Sequence, residues 1–228
     1  MNLLTDSSTT LAHATTSDAI APLLQVSGLA CRRGREWLFR DLSFAVWPGQ
    51  MLWLRGHNGS GKTTLLRILS GLSNPDEGRL SWARDRREGA EDRLVYIGHL
   101  NAMKDDLTVC ESLQFIAGLH GRDDSRESAL AALRLLGMHH RRHAAVRTLS
   151  QGQRRRAALA RLALERTPTL WLLDEPFDAL DSAGVEAVNH LLKGHLARGG
   201  SVLLTSHLAL EASGPVATEL TLDRGVAG

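Results

Sequence analysis

The run Gly56-His57-Asn58-Gly59-Ser60-Gly61-Lys62-Thr63 carries the clearest chemistry in this sequence. Glycines at this spacing let successive backbone N–H groups curl around an anion, and a helix opening at the end of the run adds partial positive charge. In the pattern G-x-x-x-x-G-K-[ST] the lysine, here Lys62, reaches the β- and γ-phosphates of a nucleotide. The hydroxyl of Thr63 binds Mg²⁺, and Thr64 follows in the first helical turn. A second signal is an apolar run, "TLWLL", that ends in the adjacent carboxylates Asp174 and Glu175. Asp174 suits the Mg²⁺-facing acid that accompanies a phosphate loop. Glu175, one residue on, is placed to polarise an attacking water as general base. A third signal is "LSQGQRRRAALARL", Leu149–Leu162, where a Ser-x-Gly turn opens an amphipathic helix and makes a second anion site. Read in isolation, a capped helix with its arginines on a solvated face accounts for this third run.

The hydropathy pattern indicates which elements hold these groups. "LLQVSGLACR" and "FRDLSFAVWPGQ" alternate apolar and polar residues and predict short antiparallel strands. Pro48-Gly49 makes a turn into a buried strand at residues 51–55. "GKTTLLRILSGL" has helical spacing, with Leu65, Leu66 and Leu69 on one side and Gly71 near the stop. "SNPDEG" reads as a turn, "RLSWA" as a strand, "RDRREGAEDR" as a solvated hairpin tip or loop, and "LVYIG" as the next strand. From 106 to 165 the period changes. Leu107, Leu113, Ile116, Leu130, Leu133, Leu136, Leu159 and Leu162 predict amphipathic helices, broken at Asp123–Ser125 and at Thr148–Gly152. "TLWLLD" and "SVLLTS" are continuous apolar runs of the kind found in parallel strands covered on both faces. "SAGVEAVNHLLKGHLARGG" joins them as a crossover helix. The expected fold is α/β, a P-loop core with an antiparallel β subdomain and an inserted helical subdomain at about 106–165. Residues 23–228 form one domain in this reading, and the polar, Ser/Thr-rich residues 1–22 a mobile N-terminal extension.

Composition excludes several classes. A net charge of +2 and 4% aromatics argue against a nucleic-acid surface, which interleaves basic and aromatic residues. Cys31 and Cys110 are too few for a disulfide framework and form no CxxC, which fits a reducing compartment. No signal peptide precedes the first strand, and no run approaches the roughly 18–20 apolar residues that span a bilayer. Any work at a membrane is expected to pass through a partner.

Taken together, the motifs resemble those of ATP-binding-cassette (ABC) proteins. "LSQGQ" is similar to the LSGGQ signature of that family, with Gln151 at its centre; "FDALD", Phe177–Asp181, resembles the D-loop, and "TSH", Thr205–His207, the switch histidine. The order holds across residues 23–224. The resemblance implies two ATP molecules, each with Mg²⁺, sandwiched between two copies of the chain in head-to-tail contact. The phosphate loop of one copy then faces Ser150, Gly152 and Gln153 of the other. Asp181 communicates across that interface, and His207 contacts the γ-phosphate. "YIGHLNAMKDDLT", "LSQGQRRRAALARL" and "WLLDEPFDALD" are similar, more narrowly, to the ATP-binding subunits of the cytochrome c maturation system, the so-called haem exporter. Those cassettes end soon after the switch histidine, as this sequence does. That resemblance implies a peripheral ATPase on the cytoplasmic face of the bacterial inner membrane, working with a polytopic permease. A soluble non-transport ABC ATPase, or a cassette serving another export substrate, is the alternative.

Two departures from the ABC pattern stand out. Where many cassettes stack an aromatic residue on adenine, this sequence places Arg33 or its neighbour Arg32; an arginine plane also stacks on a base. Where cassettes carry a Mg²⁺-binding glutamine before an "LT" pair, "HLNAMKDDLT" places His99, able to offer a nitrogen to water or metal. Within "MHHRRH", Met138–His143, the residues His139 and His143 stand i,i+4 and pair as metal ligands only if helical. Cations near a helix C-terminus are favourable without any ligand.

Overall fold

A computed structural model describes residues 21–83, 94–210 and 213–222. The expected extension (apart from its last residues) and the loop over residues 84–93 lie outside the described residues.

Two sheets organise the chain. Strands β1 (Leu24–Arg33), β2 (Glu36–Val46) and β4 (Glu77–Trp82) form an antiparallel sheet in the order β2-β1-β4. Strands β3 (Met51–Arg55), β5 (Leu94–Ile97), β6 (Leu170–Leu173), β7 (Ser201–Thr205) and β8 (Thr218–Thr221) form a parallel sheet in the order β5-β6-β7-β3-β8. Every residue of β6 and β7 is buried, as the uninterrupted apolar runs require of strands covered on both faces. The antiparallel strands are longer than the expected short pieces. Register shifts between Val26 and Leu29 and between Leu29 and Cys31 let β1 and β2 keep pairing over their whole length.

The helices follow their sequence signals. Helix α1 (Lys62–Leu69) buries Leu65, Leu66, Ile68 and Leu69 and ends at Ser70, one residue before Gly71 at φ 76°. Thr108 and Glu111 make a reciprocal capping box for α2 (Val109–Leu119), and Ser125 caps α3 (Arg126–Leu135) from the expected break. Helix α4 (Gln151–Leu159) corrects one expectation: Gly152 sits in its first turn rather than in a break, because Ser150 and Gln153 cap the helix reciprocally just before it. Asp181 caps α5 (Ser182–Ala197) through the Gly184 N–H. Residues 139–141 form a single 3₁₀ turn beyond α3, so His139 and His143 do not share a helical face.

The parallel sheet separates two apolar layers. One cluster joins Leu24, Val26 and Phe39 of the antiparallel sheet to Leu65, Leu66 and Leu69 of α1 and to Leu172 and Leu203. The other joins Leu113 of α2, Leu133 of α3 and Leu159 of α4 to Trp171 and Leu204 on the opposite face, with Val188 and Leu192 of α5. The C-terminal ends of β3, β6 and β7 are thereby held rigidly side by side, which is where an open parallel sheet places a ligand.

Candidate functional site

The loop between β3 and α1 is shaped by what its glycines avoid. Gly61 stands at φ 99° as the N-cap of α1, and a side chain there would press on Leu38 and Phe39. Backbone N–H groups at the start of α1 are left to face outward, the arrangement that suits a phosphate. Lys62 folds over the loop, its ammonium donating to the carbonyls of Gly56 (2.8 Å) and His57 (3.2 Å). The Ser60 hydroxyl is buried and has no hydrogen-bond partner among the described residues.

At the end of β6, Asp174 is 2% exposed and accepts two hydroxyl bonds. Thr63 donates to its Oδ2 (2.8 Å) and Thr205, at the end of β7, to its Oδ1 (2.8 Å). The Thr205 hydroxyl also accepts the Glu175 N–H at 2.9 Å. Glu175 adopts φ 51°, the left-handed region that a non-glycine residue enters only when its surroundings hold it there. Its Oε2 accepts the His207 N–H at 2.9 Å. The His207 Nε2 lies 3.3 Å from Oε1, close enough to attract but out of line for a hydrogen bond, so the buried Oε1 retains its accepting capacity. Burial pushes the Tyr96 phenol up, and the Asp174 charge pushes it further in the same direction.

The phosphate loop and the two carboxylates border one cavity of about 750 Å³. Asn58, Gly59, Gly61, Lys62, Thr63, Thr64, Asp174, Glu175 and His207 all border it, as do Arg32, Arg33 and His99. Gly56, His57 and Ser60 belong to the same loop and are not among the lining residues. Ser150, Gly152, Gln153 and Asp181 are not among its lining residues. Asp181 is engaged within the chain, capping α5 and pairing with Arg156. Gly152 packs so tightly on the Ala179 carbonyl that any side chain would collide with it.

The donors suit a hard cation of the Mg²⁺ type. Thr63 and Asp174 offer oxygens, and Mg²⁺ commonly takes one or two protein oxygens, the rest coming from phosphates and water. Among the described residues no group of three or more His, Cys, Asp or Glu side chains could hold a metal, so substrate oxygens would complete the shell. His99 is exposed at the cavity rim, better placed to bind a water than to displace an oxygen ligand. Histidines 139, 140 and 143 sit among Arg134 and Arg142, whose charge adds to desolvation in pushing His139 down. That setting disfavours a further cation.

Sequence reasoning missed three residues of the site: Thr205 as the clasp between Asp174 and Glu175, Asp178 on the cavity wall, and Arg155 beneath it. Arg155 belonged to a run read as a solvated face, yet it is 3% exposed. A signal was present: it stands four residues before the buried Leu159 and so shares that helix's inward side.

Residues 39–178 match the family model of the ABC transporter. The cytochrome c biogenesis ATP-binding export protein CcmA of Nitrosomonas europaea is 45% identical over 87% of this chain and 95% of its own length. The protein of the same name from Nitrosococcus oceani is 46% identical over 85% of this chain and 89% of its own. Among solved structures, the ATP-binding subunit of an ABC transporter aligns with a TM-score of 0.71 at 27% identity, covering 82% of this chain and 80% of that one. A dimeric post-hydrolysis state of the cassette MJ0796, bound to ADP and Pi, aligns with a TM-score of 0.75 at 23% identity, over 88% and 97%. At that identity the likeness speaks for the fold.

Proposed function

This chain belongs to the ABC transporter family as an ATP-binding, ATP-hydrolysing subunit, and on that premise we propose that it energises haem export or haem delivery for c-type cytochrome biogenesis. The observation that carries the reading is the convergence of the phosphate loop, Asp174, Glu175 and His207 on one cavity in a chain so similar to cytochrome c biogenesis export proteins.

In this reading Gly56, His57, Asn58, Gly59, Ser60 and Gly61 shape the loop that cradles the phosphates, and Lys62 and Thr64 bind them. Lys62 exchanges the carbonyls of Gly56 and His57 for phosphate oxygens. Thr63 and Asp174 would hold Mg²⁺, which would supply charge neutralisation to the phosphates. His99, at the cavity rim, would hold a water beside the ion. Glu175 accepts a proton from the attacking water at Oε1, and His207 donates to the γ-phosphate while its backbone N–H keeps Glu175 aimed. Catalysis here is positioning plus electrostatic stabilisation of a spread negative charge.

Arg33 is the residue we assign to the base. Arg32 is committed elsewhere: its guanidinium lies over the Trp37 ring at 3.9 Å and within 4.0 Å of the Glu77 carboxylate. An arginine plane stacks on either purine, so selectivity for adenine is expected to be weak and Arg33→Ala is expected to lower the affinity for both ATP and GTP; unchanged affinities and an unchanged ratio remove Arg33 from the site.

Two copies of the chain complete the site. Ser150, Gly152 and Gln153, remote from their own cavity, would meet the phosphates held by a second copy. Asp181 would relay that contact through Arg156. No described helix is long and apolar enough to cross a membrane; in this reading a polytopic membrane partner provides the transport path and the chain works as its peripheral subunit at the cytoplasmic face of the inner membrane. The test is a tagged pull-down from detergent-solubilised membranes, paired with deletion of the gene. Recovery of a polytopic membrane protein, and loss of holo-cytochromes c restored by the parent chain, are the expected results. Ribosomes or DNA in place of a membrane protein, or intact cytochrome c maturation after deletion, would contradict the reading.

A further inference from the structure

The arginine run that opens α4 divides in three directions. Arg154 pairs with Asp105 (2.9 Å) and Arg156 with Asp181. Arg155 turns inward, and its Nη1 donates to the Gly98 carbonyl (2.9 Å) and to the Asn101 side-chain oxygen (3.0 Å). Its Nη2 donates to the carbonyls of Asp174 (2.6 Å) and Glu175 (2.8 Å). One guanidinium therefore joins three segments: the first turns of α4, the end of β6, and the loop that contains His99.

The fork is suited to this task in a way lysine is not. A planar guanidinium presents donors in fixed directions and spans acceptors on both sides, whereas an ammonium on a flexible stem is a point charge. The two carbonyls it holds flank the peptide where Glu175 takes φ 51°. A left-handed non-glycine residue relaxes unless its surroundings restrain it. Thr205 restrains the N–H side of Glu175, and Arg155 restrains the carbonyl side. On the other end of the fork, Ala102, next to Asn101, stands at φ 48°. Both strained turns are thus adjacent to a ligand of the same side chain.

We propose that Arg155 is a positioning residue for ATP hydrolysis: its guanidinium fixes Glu175 in the orientation needed to activate water and ties that orientation to the Gly98–Asn101 loop. A shift of that loop drags the guanidinium and so re-aims Glu175, without altering the groups that bind the phosphates. The inference rests on Glu175 being the water-activating base.

The experiment measures ATP hydrolysis against ATP concentration for the full chain in its membrane complex, alongside thermal unfolding. The variants are Arg155→Lys, Asn101→Ala, the double variant and Glu175→Gln. Arg155→Lys is expected to lower kcat about tenfold or more while KM for ATP stays within about twofold. Asn101→Ala, which removes one half-buried acceptor outside the apolar core, lowers kcat by a smaller factor, again with KM unchanged. The double variant resembles Arg155→Lys alone, because both changes break one unit. Parent-like kcat in either single variant, or independent losses that multiply in the double, overturns the proposal. Should Arg155→Lys fail to fold, Asn101→Ala decides alone by the same criterion. Normal turnover in Glu175→Gln removes the base assignment itself; slow Glu175→Gln turnover with parent-like single variants removes only the role of Arg155.

Discussion

Asp174 shows how much a single buried carboxylate depends on its hydroxyl partners. Thr63 and Thr205 each satisfy one oxygen, and Thr205 in addition anchors Glu175. Thr205→Val keeps the shape but strands a buried acceptor and a buried N–H. It is expected to destabilise the fold by about 1–3 kcal/mol and to slow hydrolysis; urea unfolding and steady-state turnover measure the two effects. His195 gives a pH signature unrelated to the site. It is fully buried, stacked on Trp171 at 3.7 Å, and bonded to the Thr169 carbonyl. Desolvation pushes it down from 6.5 to about 4, the Thr169 bond only partly opposing this. The unfolded chain takes up a proton before the folded one does. Stability from this group is therefore present above pH 6.5 and is lost as pH falls toward 4, by up to about 3 kcal/mol. His195→Phe is expected to flatten the acid limb of the urea midpoint between those values, and an unchanged limb would contradict the assignment.

At the scale of elements, the signature helix is where sequence and structure inform each other most. Its start was legible only in part: the Ser-x-Gly turn announces a helix, whereas the reciprocal Ser150–Gln153 cap emerges from the structure. Ser150→Ala is expected to cost about 1 kcal/mol in thermal or urea unfolding. The phosphate loop, the buried strands β6 and β7, and the α5 crossover were readable, because glycine spacing and unbroken apolar runs are local signals. The destinations of Arg154, Arg155 and Arg156 were not. Three adjacent arginines point to three neighbours, and only the packing of α4 on the sheet decides which is buried. Gly152 was misread as a breaker because its need is tertiary, the close approach of the Ala179 carbonyl. Gly152→Ala is expected to displace the loop after Glu175, reducing turnover about tenfold or more with ATP binding retained. Nucleotide-binding and hydrolysis assays on one preparation separate the two.

For the whole molecule, the parallel sheet acts as a frame between two apolar layers. The layer with α1 and the antiparallel sheet supplies the phosphate loop and Arg33. The layer with α2, α3 and α4 supplies the signature turn and, through Arg155, reaches the backbone carbonyls of Asp174 and Glu175. Assembly of two copies was implied by the family resemblance, and in the structure Ser150 and Gly152 are not among the residues lining the chain's own cavity. In the proposed mechanism, hydrolysis in this frame depends on Glu175. The most direct measurement is ATP binding and turnover by the Glu175→Gln variant in its membrane complex. Retained ATP binding with turnover reduced about a hundredfold or more, and an ATP-stabilised dimer, are the expected results. Turnover within about twofold of the parent would contradict the account.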